Sequence, residues 1–168
     1  MASIETVDTP ERFRHLAAEI APPLLALLEE RNELEREICA RSIRLQEEKA
    51  EAGIPRQQAI PAEAELWEEF QRRYLELVHP HCTEKMRKGG SARSFGKPAR
   101  YDYLFNSPDP TVYFTMKSPK KAVVSTRNPS VYGYSYRFTL RPTEDGWKLD
   151  GVENCLGRGT RWGLEHYL

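Results

Sequence analysis

One short segment carries residue types that bind transition metals. His79, His81 and Cys82 lie close together, but zinc in a protein normally takes three or four protein ligands, and no further ligand has suitable spacing. Pro80, between the two histidines, indicates the end of a helix because proline cannot donate the helical hydrogen bond. We therefore predict no metal site and no cofactor.

A second segment has the small residues of a phosphate-binding loop. Gly157–Thr160 follows a predicted strand, but it lacks the lysine and the following helix that such a loop needs. We interpret it as a simple turn that folds Trp162 back onto a sheet.

The segment from Tyr132 to Asn154 is rich in the residue types that dominate binding interfaces, and Tyr, Trp and Arg supply most of the energy in such contacts. Its alternation predicts a core-facing side with tyrosines and an outward side with Arg137 and Arg141. From residue type and strand-face pattern, the predicted contact residues are Arg100, Asp102, Arg127, Tyr134, Arg137, Arg141 and Trp162.

Composition excludes several classes of protein. The 168 residues contain 25 Lys and Arg and 25 Asp and Glu, so the basic footprint of a nucleic-acid-binding domain is missing. Three widely spaced cysteines do not form a disulfide framework. The start of the chain lacks the pattern of a signal peptide, and the apolar run IAPPLLALL is too short to span a membrane. We expect a cytoplasmic protein with reduced thiols.

The first half of the chain has helical periodicity. Asp8 or Thr9 is a candidate cap for a first helix, which Pro22 and Pro23 should end or kink, unless they open the next helix. Residues 24–52 alternate Glu and Arg around an apolar stripe. This pattern favours a solvated amphipathic helix, and a protruding coiled-coil hairpin used for dimerisation is the alternative.

A second helix is predicted after a loop punctuated by glycine and prolines at residues 52–61. Its apolar stripe is large and aromatic, as expected of a helix that lies across a sheet. The stripe consists of Leu66, Trp67, Phe70, Tyr74, Leu77 and Val78. A further short helical turn is predicted to end near Met86.

The spacing of the apolar residues changes from the helical period of 3.6 residues to the strand period of 2 after the glycine-rich connector that ends near residue 98. Five strands are predicted, in ARYDYLF, TVYFTMKSP, KKAVVSTRN, VYGYSYRFTLR and WKLDGVENCLG, with a hairpin turn at TEDG. The first of these strands should place Tyr101, Tyr103 and Phe105 on one face, and a bulge is expected near Gly151.

These elements predict an α+β fold in which N-terminal helices pack on a curved antiparallel sheet of four to five strands. We divide the chain into a helical segment, residues 1–60, and an α+β domain, residues 61–168, which together form one continuous domain.

The segments YDYLFNSPDPTVYFTMKSPKKAVVSTR and YRFTLRPTEDGWKLDGVE resemble the nuclear transport factor 2-like fold, in which a Trp-Lys-apolar-Asp motif opens the last strand. The tail GRGTRWGLEHYL is similar to that of immunity proteins of bacterial polymorphic toxin systems with this fold. The resemblance covers roughly residues 65–168. It implies a cone-shaped sheet and a cytoplasmic, non-enzymatic protein that neutralises the toxin domain of an Rhs-type or related secreted effector by stoichiometric binding, as a monomer or a homodimer.

The same fold also resembles ketosteroid isomerases and dehydratases, which implies the alternative of a small enzyme or a ligand-binding protein. Asp102 would be its base and Tyr136 its hydrogen-bond donor. A strand at residues 101–105 would, however, point Asp102 away from Tyr101 and Tyr103, and tyrosines at period two are more often packing residues.

Overall fold

The computed structural model describes residues 2–168. Most of the helices precede most of the strands along the chain. Five α-helices are formed: α1 (Glu11–Arg14), α2 (Ala17–Glu51), α3 (Pro61–Val78), α4 (Glu84–Arg87) and α5 (Asp102–Phe105). Six strands are formed: β1 (Ser3–Thr6), β2 (Thr111–Ser118), β3 (Lys121–Thr126), β4 (Tyr134–Thr143), β5 (Gly146–Leu156) and β6 (Gly163–Glu165). The long α2 and the sheet make this an α+β fold, as predicted.

The six strands form one open sheet in the order β1-β2-β3-β4-β5-β6. All neighbours are antiparallel except β1 and β2, which are parallel. The predicted count of four to five strands is therefore too low. The edge strands β1 and β6 have only four and three residues, too few for a clear alternation. Because β1 pairs with β2, residues 1–60 contribute to the sheet as well as to the helices.

The strand predicted at residues 101–105 is wrong, because Asp102–Phe105 is one helical turn, α5. Tyr101 and Leu104 are buried three residues apart, which is a helical and not a strand spacing. The Asp102 carboxylate also accepts a hydrogen bond from the backbone N–H of Ala99 at 3.2 Å. Such local bonds of aspartate compete with a strand ladder for the backbone donor.

The expectation that Pro22 and Pro23 end a helix or begin one is wrong, because both lie inside the continuous α2, and the alternative of a kink stays a prediction. Each proline removes one helical hydrogen bond. Around them Ile20, Ala21 and Leu24 are buried in the core. Burial of this apolar face, at about 25 cal/mol per Å², offsets the missing hydrogen bonds. The break falls earlier, at His15 and Leu16, between α1 and α2.

Helices α2 and α3 form an antiparallel pair joined by charged side chains. Arg41 of α2 contacts both carboxylate oxygens of Glu69 of α3, at 2.7 and 2.8 Å. Farther along the pair, Lys49 contacts Glu63 at 3.0 Å and lies 2% exposed. The charged residues of α2 thus link it to α3 within one chain, and the predicted use of this helix in dimerisation stays a prediction.

The core lies between the helices and one face of the sheet, which we call the inner face. Alternation along β2 to β5 buries one side of each strand. The largest fully buried aromatic residues of the core are Phe70, Tyr74, Tyr101, Phe114 and Phe138. The predicted bulge is confirmed: Thr139 pairs with Gly151 and Leu140 with Leu149, so Asp150 is the extra residue. Within residues 2–168, no helix is long and apolar enough to cross a membrane.

Candidate functional site

The opposite, outer face of the sheet carries an open groove. Strand alternation puts Tyr113 of β2, Ser125 of β3 and Arg137 of β4 on this face. The groove has a volume of about 1110 Å³. We call it the outer groove; its charged and aromatic lining residues are Tyr113, Arg127, Arg137, Arg158 and Trp162. None of α1 to α5 contributes to this lining.

Two arginines of the outer groove stack on aromatic rings. The Cζ of Arg137 lies 3.8 Å from the ring centroid of Trp162, and the Cζ of Arg127 lies 5.0 Å from that of Tyr113. A cation over an aromatic face is attracted by the ring quadrupole, by about 0.5–1 kcal/mol at exposed sites. Each guanidinium is therefore restrained in its orientation before any partner arrives.

The turn at Gly157 brings Trp162 to the sheet, as predicted. Gly157 has φ +59, and a Cβ at this position would lie 2.4 Å from the carbonyl oxygen of Val131. Only glycine combines that dihedral with so close a backbone approach. The N–H of Gly157 donates to the carbonyl of Gly133 at 2.8 Å. The turn reverses the chain after β5, so that Arg158 and Trp162 cover the end of the groove.

The outer groove is electropositive. Arg127, Arg137 and Arg158 take part in no ion pair within 4.0 Å across residues 2–168, and no acidic side chain lines the groove. Glu153 faces Arg137 across the β4–β5 register, yet it is not within ion-pair distance. Unpaired cations that share a concave surface concentrate positive potential there and attract anionic groups.

Exposed apolar side chains lie at the end of the sheet beside the outer groove. Tyr134 at the start of β4 is 45% exposed, and it pairs with Leu156, which is 53% exposed. Val131 and Tyr132 precede them and are 53% and 87% exposed. We call these four residues the apolar rim. The Val131 carbonyl meets Gly157, so the rim adjoins the turn that closes the groove.

Of the seven predicted contact residues, the structure brings Arg127, Arg137 and Trp162 together in the outer groove, with Tyr134 on the adjoining rim. Arg100 lies elsewhere. Its guanidinium packs over the rings of Tyr136 and Tyr167, at 5.8 and 5.0 Å. Its backbone N–H donates to Glu35 at 2.7 Å.

Asp102 and Arg141 are held in intramolecular contacts. The carboxylate of Asp102 accepts hydrogen bonds from Asn32 at 2.9 Å and from Arg36 at 2.6 Å. Arg141 pairs with Asp150 at 2.8 Å, near the far end of the β4–β5 hairpin. Both side chains therefore connect elements of the fold.

The groups considered for catalysis and metal binding include a buried hydroxyl, Tyr136, and a buried thiol, Cys82. Burial raises the pKa of the Tyr136 hydroxyl well above its usual range. Burial likewise raises the pKa of the Cys82 thiol to about 11, so it stays a thiol at neutral pH. Among residues 2–168, no three His, Cys, Asp or Glu side chains are grouped as a metal site. Cys39, Cys82 and Cys155 are free thiols.

Sequence reasoning missed two members of the outer groove, Tyr113 and Arg158. Tyr113 is the outward residue between the buried Val112 and Phe114, so its place on the outer face follows from the alternation of β2. Arg158 lies in a turn, and no periodic signal marks its direction.

Comparisons of the chain with protein-family models, with curated proteins and with solved structures found no match.

Proposed function

We propose that this chain is an immunity protein that neutralises a secreted toxin domain by stoichiometric binding through the outer groove. The observation that carries the proposal is the pair of arginines, Arg127 and Arg137, stacked on aromatic rings in an open groove without acidic lining. Arginine and aromatic residues dominate the binding energy of protein interfaces. Restrained side chains lose less entropy on binding.

The inner side of the sheet favours binding over catalysis on a small substrate. The inner face, which an isomerase-like enzyme would use as its pocket, is covered by a core that contains buried Tyr101, Phe114 and Phe138. The carboxylate of Asp102, the alternative's base, is occupied by donors from Asn32, Arg36 and Ala99. The oxygens of this carboxylate are thus engaged in contacts that hold the fold together.

The proposed fold family is the nuclear transport factor 2-like cone. The antiparallel run from β2 to β5 and the helices on a single face of the sheet support it. The bulge at Asp150 also supports it, because bulges increase local twist and bend the strand that contains them.

The proposed mechanism is occlusion. The protein binds the toxin domain one to one in the cytoplasm of the producing cell and covers its active site or substrate groove, which needs no catalytic group on the inhibitor. The apolar rim, with Tyr132 and Tyr134, extends the contact area beyond the groove.

The test is co-expression with the product of the gene immediately upstream, which the proposal expects to carry the toxin domain. We expect the wild-type protein to restore growth and to elute with the toxin as a one-to-one complex. Absence of both protection and complex would refute the proposal.

A further inference from the structure

Resting on the proposed function, we infer that the partner offers the outer groove an acidic segment whose carboxylates pair with Arg127 and Arg137. This assigns the chemistry of the partner's contact surface, which the proposed function leaves open. The inference can fail while the proposed function stands, if the toxin occupies the outer groove through uncharged groups.

The stacked guanidinium groups suit an oxyanion, and a carboxylate is the oxyanion that an unmodified polypeptide offers. When an arginine lies over a ring, as Arg137 does over Trp162, one face of its plane is covered while the edge with its N–H donors remains free. That edge matches a carboxylate, which it binds through two parallel hydrogen bonds. Stacking thus orients the donors in advance.

Charge complementarity points the same way. The outer groove has three arginines without ion-pair partners, Arg127, Arg137 and Arg158, and no acidic lining residue. The whole chain, by contrast, has a formal net charge of +0. The groove thus carries positive charge that no acidic lining residue balances, and an acidic partner complements it.

The same stacking argues against a nucleic acid as the occupant. Single-stranded nucleic acids gain affinity when their bases stack on exposed aromatic rings. Here guanidinium groups already occupy a face of Trp162 and of Tyr113. The adjoining apolar rim favours a polypeptide that places an apolar side chain beside its carboxylates, since a phosphate backbone has nothing to bury there.

The experiment is an NMR titration of the ¹⁵N-labelled protein with a short synthetic peptide of glutamates around two central leucines. A peptide with glutamine in place of every glutamate is the matched control, and a short oligothymidylate tests the nucleic-acid alternative. We expect the glutamate peptide to shift amide signals of β3, β4 and the turn at Gly157. The Arg127→Gln/Arg137→Gln double variant should weaken this binding by at least about tenfold, whereas Arg72→Gln on α3 should not change it.

Equal binding of the glutamine peptide, tighter binding of the oligothymidylate, or no localised shifts would overturn the inference. Binding of the toxin domain to the same double variant separates failure of this inference from failure of the proposed function. A toxin complex that is weakened in the double variant, while the glutamate and glutamine peptides bind equally, would overturn the acidic-segment inference and leave the proposed function in place. Peptide binding at the groove without protection from the toxin would support the acidic preference and refute immunity.

Discussion

Replacing the buried Arg31 by methionine should destabilise the protein strongly. Arg31 of α2 is 0% exposed and pairs with Glu35, which is 3% exposed. The Glu35 carboxylate also accepts the backbone N–H groups of Gly96 at 3.0 Å and Arg100 at 2.7 Å. The pair thus fixes the connector that leads to the sheet. Methionine fills most of the space but leaves Glu35 buried without its counter-charge.

The size of the effect follows from the burial of both groups. Removing one partner of a buried ion pair costs about 3–5 kcal/mol, because the remaining charge is uncompensated. With a urea m-value of about 2 kcal/mol/M, the unfolding midpoint should fall by about 2 M. The Arg31→Met/Glu35→Gln double variant should be more stable than the single variant, because the glutamine carries no charge and can still accept a backbone hydrogen bond.

Urea unfolding followed by far-UV circular dichroism measures these differences. The control is Arg72→Met, because Arg72 and its partner Glu76 are 60% and 63% exposed and such a pair is worth at most about 1 kcal/mol. The reasoning is refuted if Arg31→Met costs no more than this control. It is also refuted if adding Glu35→Gln restores nothing, since the loss would then come from packing and not from the buried charge.

Three further predictions concern the groove and the helix pair. Gly157→Ala should cost about 1–3 kcal/mol, because the positive φ is strained and the methyl group meets Val131; urea unfolding measures the cost, and an unchanged urea midpoint would contradict this prediction. The hydrogen bond from Arg41 lowers the pKa of Glu69 from 4.5 to about 2, so the stability that this ionised carboxylate contributes is full above pH 4.5 and is lost as pH falls toward 2. Glu69→Gln should therefore reduce the dependence of the urea midpoint on pH in this range, and the same pH dependence as in wild type would contradict this. Trp162→Ala should weaken the toxin complex by at least about tenfold in calorimetry through loss of an aromatic interface contact, and an unchanged affinity would place the toxin elsewhere.

Sequence periodicity predicted the parts of the fold whose burial is regular. Strands β2 to β5 alternate between core and surface over six to eleven residues, and this is why their positions and the hairpin turn were predictable. The aromatic stripe of α3 was predictable for the same reason, with Leu66, Phe70 and Tyr74 buried one turn apart.

Tertiary contacts decided the elements that were predicted wrongly. The segment around Asp102 alternates like a strand, yet Asn32 on α2 contacts it from both sides: its side-chain oxygen accepts the N–H of Tyr101, and its amide donates to Asp102. No local pattern contains a residue some seventy positions away. Likewise, Pro22 and Pro23 are tolerated in α2 because the core buries the neighbouring side chains.

The candidate site was predictable to the extent that it depends on strand faces. Arg137 follows from the alternation of β4, and Trp162 from the glycine turn that precedes it. Arg100 and Arg141 have the same residue type, but the Arg100 guanidinium packs over the rings of Tyr136 and Tyr167, and Arg141 pairs with Asp150. Residue type alone cannot distinguish an arginine that is free from one that is paired within the fold.

The central claim is that the outer groove holds the toxin, and affinity of the toxin domain for the Arg127→Gln/Arg137→Gln variant tests it most directly. Isothermal titration calorimetry should be run on wild type, this variant and Arg72→Gln, after confirming that all three unfold at similar urea concentrations. The account predicts a loss of at least about a hundredfold for the double variant, since each stacked arginine contributes about 1.5–3 kcal/mol, and no loss for Arg72→Gln. Wild-type affinity in the double variant would contradict it.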